Sequence, residues 1–152
     1  MSYKRILVPV DGSPVSNLGL KEAVRLARES GAKVRLLHVA EEFGAFMNPD
    51  TAANIGPMLD ALRDGAKRTL AKVERRARAL GIEPSTALAE TIGGRVADAI
   101  VDEAKRWRPD VVVMGTHGRR GVKRMLLGSD AELVIRYSPV PVLLVPGPRG
   151  RS

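Results

Sequence analysis

Short apolar runs alternate with longer amphipathic stretches from one end of the chain to the other. Five runs rich in Val, Ile and Leu predict β-strands, at residues 3–10, 33–39, 82–89, 110–115 and 141–145. Four intervening stretches place apolar residues at three- and four-residue steps and predict helices with one buried face, at residues 14–30, 51–80, 95–107 and 129–137. Strands that alternate with helices in this way predict an α/β fold, an open parallel sheet with helices on both faces and right-handed crossovers.

Local signals support several of these boundaries. The segment Asp11–Pro14 combines a turn glycine, an N-cap serine and a proline suited to the first helical position. Gly31 is the expected stop of the helix that follows. Pro57 predicts an irregular or kinked start to the second helix. Pro84 limits the start of the third strand and favours an edge position for it, because proline cannot donate a ladder hydrogen bond.

Composition narrows the class of protein. The chain has 152 residues, 44% of them hydrophobic, which suits one globular domain; we assign it residues 1–147, with a C-terminal tail at 148–152. No cysteine is present, so disulfides, thiolate catalysis and zinc–cysteine sites are excluded. No apolar stretch approaches the ~20 residues of a membrane span, and the apolar run near the N-terminus is too short for a signal peptide. A cytoplasmic protein is expected.

The formal net charge of +8 makes nucleic acid a candidate partner. Aromatic residues form only 3% of the chain, however, so stacking platforms for single-stranded nucleic acid are scarce. Much of the charge lies on the predicted helix between residues 67 and 78, interleaved with apolar residues, which favours an ordinary solvated surface. We therefore expect weak, non-specific nucleic-acid binding at most, and no membrane partner.

The most informative stretch is VVVMGTHGRRGVKRMLLGS, residues 111–129, in which a buried strand leads through a glycine-rich basic loop to a helix. Its glycines and final serine are spaced as Gly115-x2-Gly118-x9-Gly128-Ser129, which matches neither GxGxxG nor GxxxxGK(S/T). Glycines let a ligand approach the backbone closely, and the free N–H groups of a helix N-terminus attract anions. The stretch therefore predicts a phosphate-binding site.

The ends of the first and fourth strands point to one pocket. In open α/β sheets, ligands bind beyond the carboxyl ends of the strands, where the strand order reverses. Asp11 follows the first strand and Gly115 ends the fourth, and each begins a glycine-containing segment that leads into a helix. His38, in the second strand, is expected to be a packed structural residue rather than a catalyst.

Four segments together resemble the universal stress protein family, in its ATP-binding branch. They are the opening ILVPVDGSP, the second strand LLHV, the glycine-rich loop with its G-2x-G-9x-G-(S/T) pattern, and the ending SPVPVLLVP. The resemblance covers nearly the whole chain. It implies a doubly wound five-stranded parallel sheet of the adenine nucleotide alpha hydrolase-like type, with strand order 3-2-1-4-5. It also implies a homodimer through the last strand, Val142–Val145, whose apolar edge would otherwise be exposed.

The resemblance further implies ATP and Mg²⁺ as cofactors and gives each site residue a role. The phosphates are expected to meet the backbone of four residues: Gly115, Gly118, Gly128 and Ser129. Two more loop residues are placed near phosphate: His117 and Arg119. Asp11 is expected to reach the ribose hydroxyls or to bind the Mg²⁺, and Val39 to offer backbone groups to the adenine edge. Apolar walls are expected from Pro9, Val10 and Met114.

The leading hypothesis is an ATP-binding protein of stress response or signalling, whose nucleotide occupancy changes dimer or partner contacts. The alternative is a slow ATPase or nucleotidyl-transfer enzyme. Phosphoryl transfer requires a positioned nucleophile and strong charge stabilisation; the loop supplies charge, but the sequence shows no convincing general base and no acidic metal cluster. Asp11 as a turn former and Gly128-Ser129 as a helix cap stay open as alternatives. AMP and cyclic AMP also stay open as ligands, although a polyanionic site favours the triphosphate.

Overall fold

The computed structural model describes residues 2–41, 55–91, 93–116 and 127–148. Its strands are β1 (Arg5–Pro9), β2 (Lys33–Glu41), β3 (Ser85–Thr91), β4 (Val111–Gly115) and β5 (Val142–Val145). Its helices are α1 (Pro14–Ser30), α2 (Ile55–Ala79), α3 (Val96–Trp107) and α4 (Ser129–Tyr137). The predicted alternation of strands and helices is confirmed.

The five strands form one parallel sheet in the order β3-β2-β1-β4-β5, which confirms the predicted fold class and strand order. β1 lies at the centre, and its residues Ile6, Leu7 and Val8 are 0% exposed. Helices cover both faces of the sheet here, so a strand with an uninterrupted apolar run is favoured over an alternating one. β3 and β5 form the two edges, as Pro84 and the apolar last strand indicated.

Successive residues of β1 face opposite layers of the core. Ile6 and Val8 belong to the cluster that contains the buried residues of α1 and α2. Leu7 belongs to the cluster that contains those of α3 and α4, with Trp107 at the end of α3. This division follows from the two-residue period of a strand. Both faces of the sheet are thus occupied by apolar layers, which leaves the open ends of the strands for polar sites.

Helix α1 begins and ends where the sequence predicted. The Ser13 hydroxyl accepts a hydrogen bond from the N–H of Ser16 at 3.2 Å, and Pro14 follows Ser13 as the first helical residue. Gly31 ends the helix in the left-handed region, with φ of 70°, and donates its N–H to the carbonyl of Ala27. Positive φ is strained for a residue with a Cβ, which explains the glycine at this position.

The first turns of α2 depart from the amphipathic pattern. The helical period predicts that Leu62 faces inward with Leu70 and Val73, yet Leu62 is 37% exposed while the other two are buried. A period shows which residues share a helix face, but not whether the sheet extends far enough to cover that face. Pro57 lies in the first turn of Ile55–Ala79, where a missing N–H removes no helical bond. The predicted helix start at residue 51 lies outside the described residues.

Several strand boundaries differ from the prediction by one to three residues. β3 starts at Ser85 rather than at residue 82, because Pro84 cannot join the ladder. β2 continues to Glu41, beyond the predicted end at residue 39, because its pairing with β3 extends as far as Glu41↔Thr91. Within the described ranges, no helix combines the length and the apolarity needed to cross a membrane.

Candidate functional site

The pairing of β1 with β4 stops before their carboxyl ends, and we call the region between these ends the crevice. β1 pairs with β2 along its whole length, but in the described strands its pairing with β4 is restricted to Ile6↔Val111 and Leu7↔Val112. Pro9 has no N–H to donate, so the ladder between β1 and β4 cannot continue through it. The strand order reverses at this point of the sheet, which is where ligands of open α/β folds bind.

Backbone groups of β2 and β4 border this crevice from opposite sides. The carbonyl of Leu37 accepts the N–H of Val10 at 2.8 Å, so the backbone of Leu37 faces β1. Val39 faces the same side, past the end of β1, since the hydrogen-bonding direction alternates along a strand. On the other side, the N–H of Thr116 donates to β5 at 3.1 Å, so the preceding Gly115 faces β1. The structure therefore brings Val39 and Gly115 to the same open end of the sheet.

Asp11 is held in a tight turn at the entrance to α1. Its carboxylate Oδ1 accepts the N–H of Ser13 at 2.8 Å, and its own N–H donates to the Ser16 hydroxyl at 3.1 Å. Gly12, in the middle of this turn, has φ of 80°, a conformation that residues with a Cβ avoid. The turn-forming role that the sequence left open is present, and it fixes the orientation of the carboxylate beside the crevice.

His38 is buried in the sheet and contacts the end of β1. Its Nδ1 lies 2.7 Å from the carbonyl oxygen of Val10, and the residue is 6% exposed. A carbonyl can only accept, so Nδ1 carries the proton of this bond. The N–H of Val10 is thus engaged by Leu37, and its carbonyl accepts one hydrogen bond from His38. Val10 and Met114 are buried and Pro9 is half-buried. Val10 belongs to the apolar cluster on the α1 and α2 side of the sheet and Met114 to the cluster on the α3 and α4 side, so their role as walls of the crevice stays a prediction.

Gly115 is required by the packing of α1 against β4. A Cβ at Gly115 would lie 2.7 Å from Val15 Cγ1 and 3.0 Å from the Val15 carbonyl oxygen. A Cβ at Gly19, one turn along α1, would lie 3.2 Å from the backbone nitrogen of Gly115. The helix therefore reaches the end of β4 because both positions lack a side chain. Sequence reasoning overlooked Gly19, although a glycine inside a helical pattern signals a close approach of two backbones.

The residues that flank the glycine-rich loop contact each other. The N–H of Gly128 donates to the carbonyl of Thr116 at 2.8 Å, so the two ends of the loop are tied together beside β4. Because this N–H is already engaged, Gly128 offers a ligand little beyond its lack of a side chain. The N–H groups that follow, beginning with Ser129, form the first turn of α4 and have no intrahelical acceptor. Three predicted phosphate contacts lie outside the described residues: His117, Gly118 and Arg119.

Acidic side chains occupy the first turn of α4, a feature that the sequence reasoning did not consider. Asp130 and Glu132 both lie there. Carboxylates at a helix N-terminus interact favourably with the helix dipole and so reduce the positive potential offered to an anion. A polyphosphate at this position would need compensating cations from the loop or a metal ion. In the parts of the chain that the structure describes, no group of three or more His, Cys, Asp or Glu side chains is placed to hold a metal, so the metal site at Asp11 stays a prediction.

Comparison with known proteins gives consistent matches over almost the full length of the chain. The sequence model described as "Universal stress protein family" matches residues 2–146. Universal stress protein MJ0531 of Methanocaldococcus jannaschii is 35% identical over 147 residues, which cover 97% of this chain and 84% of that protein. Among solved structures, universal stress protein UspA from Lactobacillus plantarum aligns with a TM-score of 0.80 at 25% identity, over 95% of this chain and 99% of that one. The universal stress protein from Archaeoglobus fulgidus, in complex with dAMP, aligns with a TM-score of 0.66 at 26% identity, over 95% and 99% of the two chains.

Proposed function

The chain belongs to the universal stress protein family, and from that premise we propose that it binds an adenine nucleotide, ATP with Mg²⁺, in the crevice between β1 and β4. The observation that carries the proposal is the parting of these strands after Leu7 and Val112, where the strand order reverses. The Archaeoglobus fulgidus relative in complex with dAMP supports the class of ligand.

In this proposal the nucleotide extends across the open end of the sheet, from β2 toward α4. The adenine edge meets backbone groups of Val39, which face the crevice beyond the end of β1. Pro9, Val10 and Met114 supply apolar contacts. The carboxylate of Asp11 meets the ribose hydroxyls or the Mg²⁺, in an orientation that its turn already fixes. A carboxylate fixed before binding loses little conformational freedom when the ligand arrives.

The triphosphate lies toward the loop and the start of α4. Gly115 and Gly128 let it approach the backbone, and Ser129 offers an N–H and a hydroxyl. Three loop residues complete the phosphate contacts in this proposal: His117, Gly118 and Arg119. The carboxylates in the first turn of α4 oppose a bare polyphosphate. The Mg²⁺ and the loop cations offset that opposition, which is why the proposal includes the metal.

Thermal unfolding with and without Mg-ATP tests the proposal. A ligand that binds only the folded protein, at 100 times its dissociation constant, adds ~2.7 kcal/mol to the free energy of unfolding. For a domain of this size, that increment raises the melting temperature by roughly 5–11 °C. Mass spectrometry of any nucleotide released on denaturation identifies the species that the protein retains, whether ATP, AMP or cyclic AMP. An unchanged melting temperature in millimolar Mg-ATP would contradict the proposal.

Asp11→Asn is the informative variant for this assay. An asparagine keeps a side-chain oxygen to accept the N–H of Ser13 but carries no charge, so the turn should survive. We expect the variant to melt near wild type without ligand and to lose at least half of the Mg-ATP shift. Asp64→Asn, at an exposed position of α2, is the matched control and should keep the full shift. Sustained phosphate release by wild type that is absent from Asp11→Asn would instead favour the slow ATPase.

We also propose that the chain is a cytoplasmic stress or signalling protein in which bound nucleotide changes the contacts with a second copy or with a partner. In this proposal the dimer forms through β5. β5 is an edge strand, and its Leu143 is 36% exposed. On the adjacent α4, Ile135 and Tyr137 are 46% and 56% exposed. Exposed apolar edge strands are prone to pair with a second chain.

Sedimentation analysis tests the dimer. Leu143→Lys places a charge on the proposed interface and should convert the dimer to a monomer. Leu62→Lys is the matched control, because Leu62 is 37% exposed on α2, away from β5. Wild-type protein that sediments as a monomer, or a Leu143→Lys variant that stays dimeric, would contradict this assignment.

A further inference from the structure

The amino ends of β1, β2 and β3 border a second groove, at the end of the sheet opposite the crevice. Its volume is about 650 Å³, and its lining includes Ser85 and Trp107. Four cations line it as well: Lys4, Arg5, Lys33 and Arg35. Such a concentration of positive charge in a concave site raises the local concentration of anions.

Two guanidinium groups lie against the indole ring of Trp107. The Cζ atom of Arg5 is 4.5 Å from the ring centroid, and the Cζ atom of Arg35 is 4.7 Å from it. Arg5 precedes Leu7 by two residues on β1, so its side chain leaves the sheet on the α3 side, where Trp107 ends that helix. Cation–π contacts hold both guanidiniums in fixed positions. The groove therefore presents donors that are ordered before any ligand binds.

The two guanidiniums differ in their partners. Arg35 donates to Glu103 at 2.9 Å and to the hydroxyl of Ser85 at 3.2 Å, and the buried Glu103 also pairs with Arg106. Among the described residues, the guanidinium of Arg5 forms no ion pair with a carboxylate, and its Nε is buried without a hydrogen-bond acceptor. The rest of the guanidinium is therefore available to an anion in the groove.

The remaining charges leave the groove positive. Lys4 and Lys33 are exposed at its rim, and within the described part of the chain neither side chain forms an ion pair. Asp110 accepts the backbone N–H groups of Lys4 at 2.6 Å and Arg5 at 2.8 Å, and the charges of both side chains also act on its carboxylate, although less than these hydrogen bonds do. Glu83, also in the lining, pairs at 2.8 Å with an arginine of α2. Among the described residues, neither carboxylate forms an ion pair with the cations that line the groove.

We propose that this groove is a second ligand site, which binds a compact multivalent phosphate such as pyrophosphate or tripolyphosphate. Phosphate oxygens can accept hydrogen bonds from the accessible part of the Arg5 guanidinium, whose planar geometry matches phosphate. The ammonium groups of Lys4 and Lys33 bind the same anion from the rim. Trp107 is 9% exposed and already contacts two guanidiniums, so its ring offers little surface for stacking a base. This favours a small anion over a segment of nucleic acid.

The fluorescence of Trp107 reports on this groove directly, because it is the sole tryptophan of the chain. Titration with tripolyphosphate at constant ionic strength should change the emission saturably, with one anion per chain. Arg5→Gln and Lys33→Gln should each weaken binding about tenfold or more, since each removes a charge-assisted contact. Arg28→Gln removes an exposed charge from α1, on the other face of the sheet, and should bind as wild type does.

One variant separates a loss of anion binding from a loss of folding, and another separates binding in the groove from binding in the crevice. Lys33→Gln keeps both guanidinium contacts to the indole, so its weaker binding reflects the lost charge. Asp11→Asn should leave the fluorescence titration unchanged, because Asp11 lies at the opposite end of the sheet.

Four results would overturn the proposal. The first is the absence of a saturable change in wild type, and the second is equal affinity in wild type, Arg5→Gln and Lys33→Gln. The third is a response that Asp11→Asn abolishes, which would place the anion in the crevice. The fourth is a single-stranded oligonucleotide that binds more tightly than tripolyphosphate and depends on Lys33, which would assign the groove to nucleic-acid backbone.

Discussion

Replacing Gly115 with alanine separates the packing of α1 on β4 from any contact with a ligand. The added Cβ would lie 2.7 Å from Val15 Cγ1, and 3.0 Å and 3.1 Å from the carbonyl oxygen and carbon of Val15. Rotation of the valine side chain can relieve the first contact, but the other two involve helix backbone, which must shift. Overpacking of this kind costs about 1–3 kcal/mol. For a domain of this size, the melting temperature should fall by roughly 2–12 °C.

Urea denaturation without nucleotide measures this loss, and a double-mutant cycle with Val15→Ala assigns it to the contact. Val15→Ala removes Cγ1 but keeps the carbonyl, so it should recover part of the stability that Gly115→Ala loses, but not all of it. Gly56→Ala is the control for an added Cβ that meets no neighbour, since a Cβ at Gly56 has nothing within 4 Å, and it should cause no loss of stability. The packing argument is refuted if Gly115→Ala unfolds within about 0.5 kcal/mol of wild type, or if its loss is the same with and without Val15→Ala.

Two further predictions concern stability away from the crevice. Gly65→Ala, inside α2, should raise the free energy of unfolding by about 1 kcal/mol, because the new Cβ meets only Arg68 Nη2 at 3.7 Å; unchanged or lower stability in urea would contradict this. Burial raises the pKa of Glu103, but hydrogen bonds from Arg106 and Arg35 outweigh burial and hold that pKa below its ordinary 4.5. A carboxyl group whose pKa is lower in the folded than in the unfolded state stabilises the fold at pH values above its unfolded pKa, and this stabilisation is lost as the pH falls. Wild type should therefore lose more stability than Glu103→Gln between about pH 6 and about pH 3. Parallel pH profiles of the two proteins would contradict this prediction.

The fold was predictable because local signals and tertiary packing agree along most of the chain. The apolar run Ile6–Val8 fits a strand that helices cover on both faces, and the structure buries it completely. Ser13 and Gly31 satisfy the backbone at the two ends of α1 through local geometry alone. Signals of this kind depend only on residues that are close together in the sequence, so they can be read without knowledge of the fold.

Other features depend on partners that are distant in the sequence. Glu103 lies on the buried face of α3 as a charged residue, and it is tolerated there because Arg35, from β2, and Arg106 both pair with it. Leu62 follows the apolar period of α2 but is 37% exposed. Gly115 was assigned to phosphate by its motif, yet the structure shows a packing requirement that would select glycine even without a ligand. Motif and packing make the same demand at that residue, so the sequence alone cannot separate them.

The hydrogen bond between Gly128 and Thr116 has a consequence for how this protein can evolve. It joins the two ends of the glycine-rich loop and so fixes the junction between the sheet and α4, whatever the sequence of the loop. Because this bond joins two backbone groups, its formation does not depend on which side chains lie between the two residues. Drift or grafting of new sequence there can alter ligand preference while the scaffold that displays it stays the same.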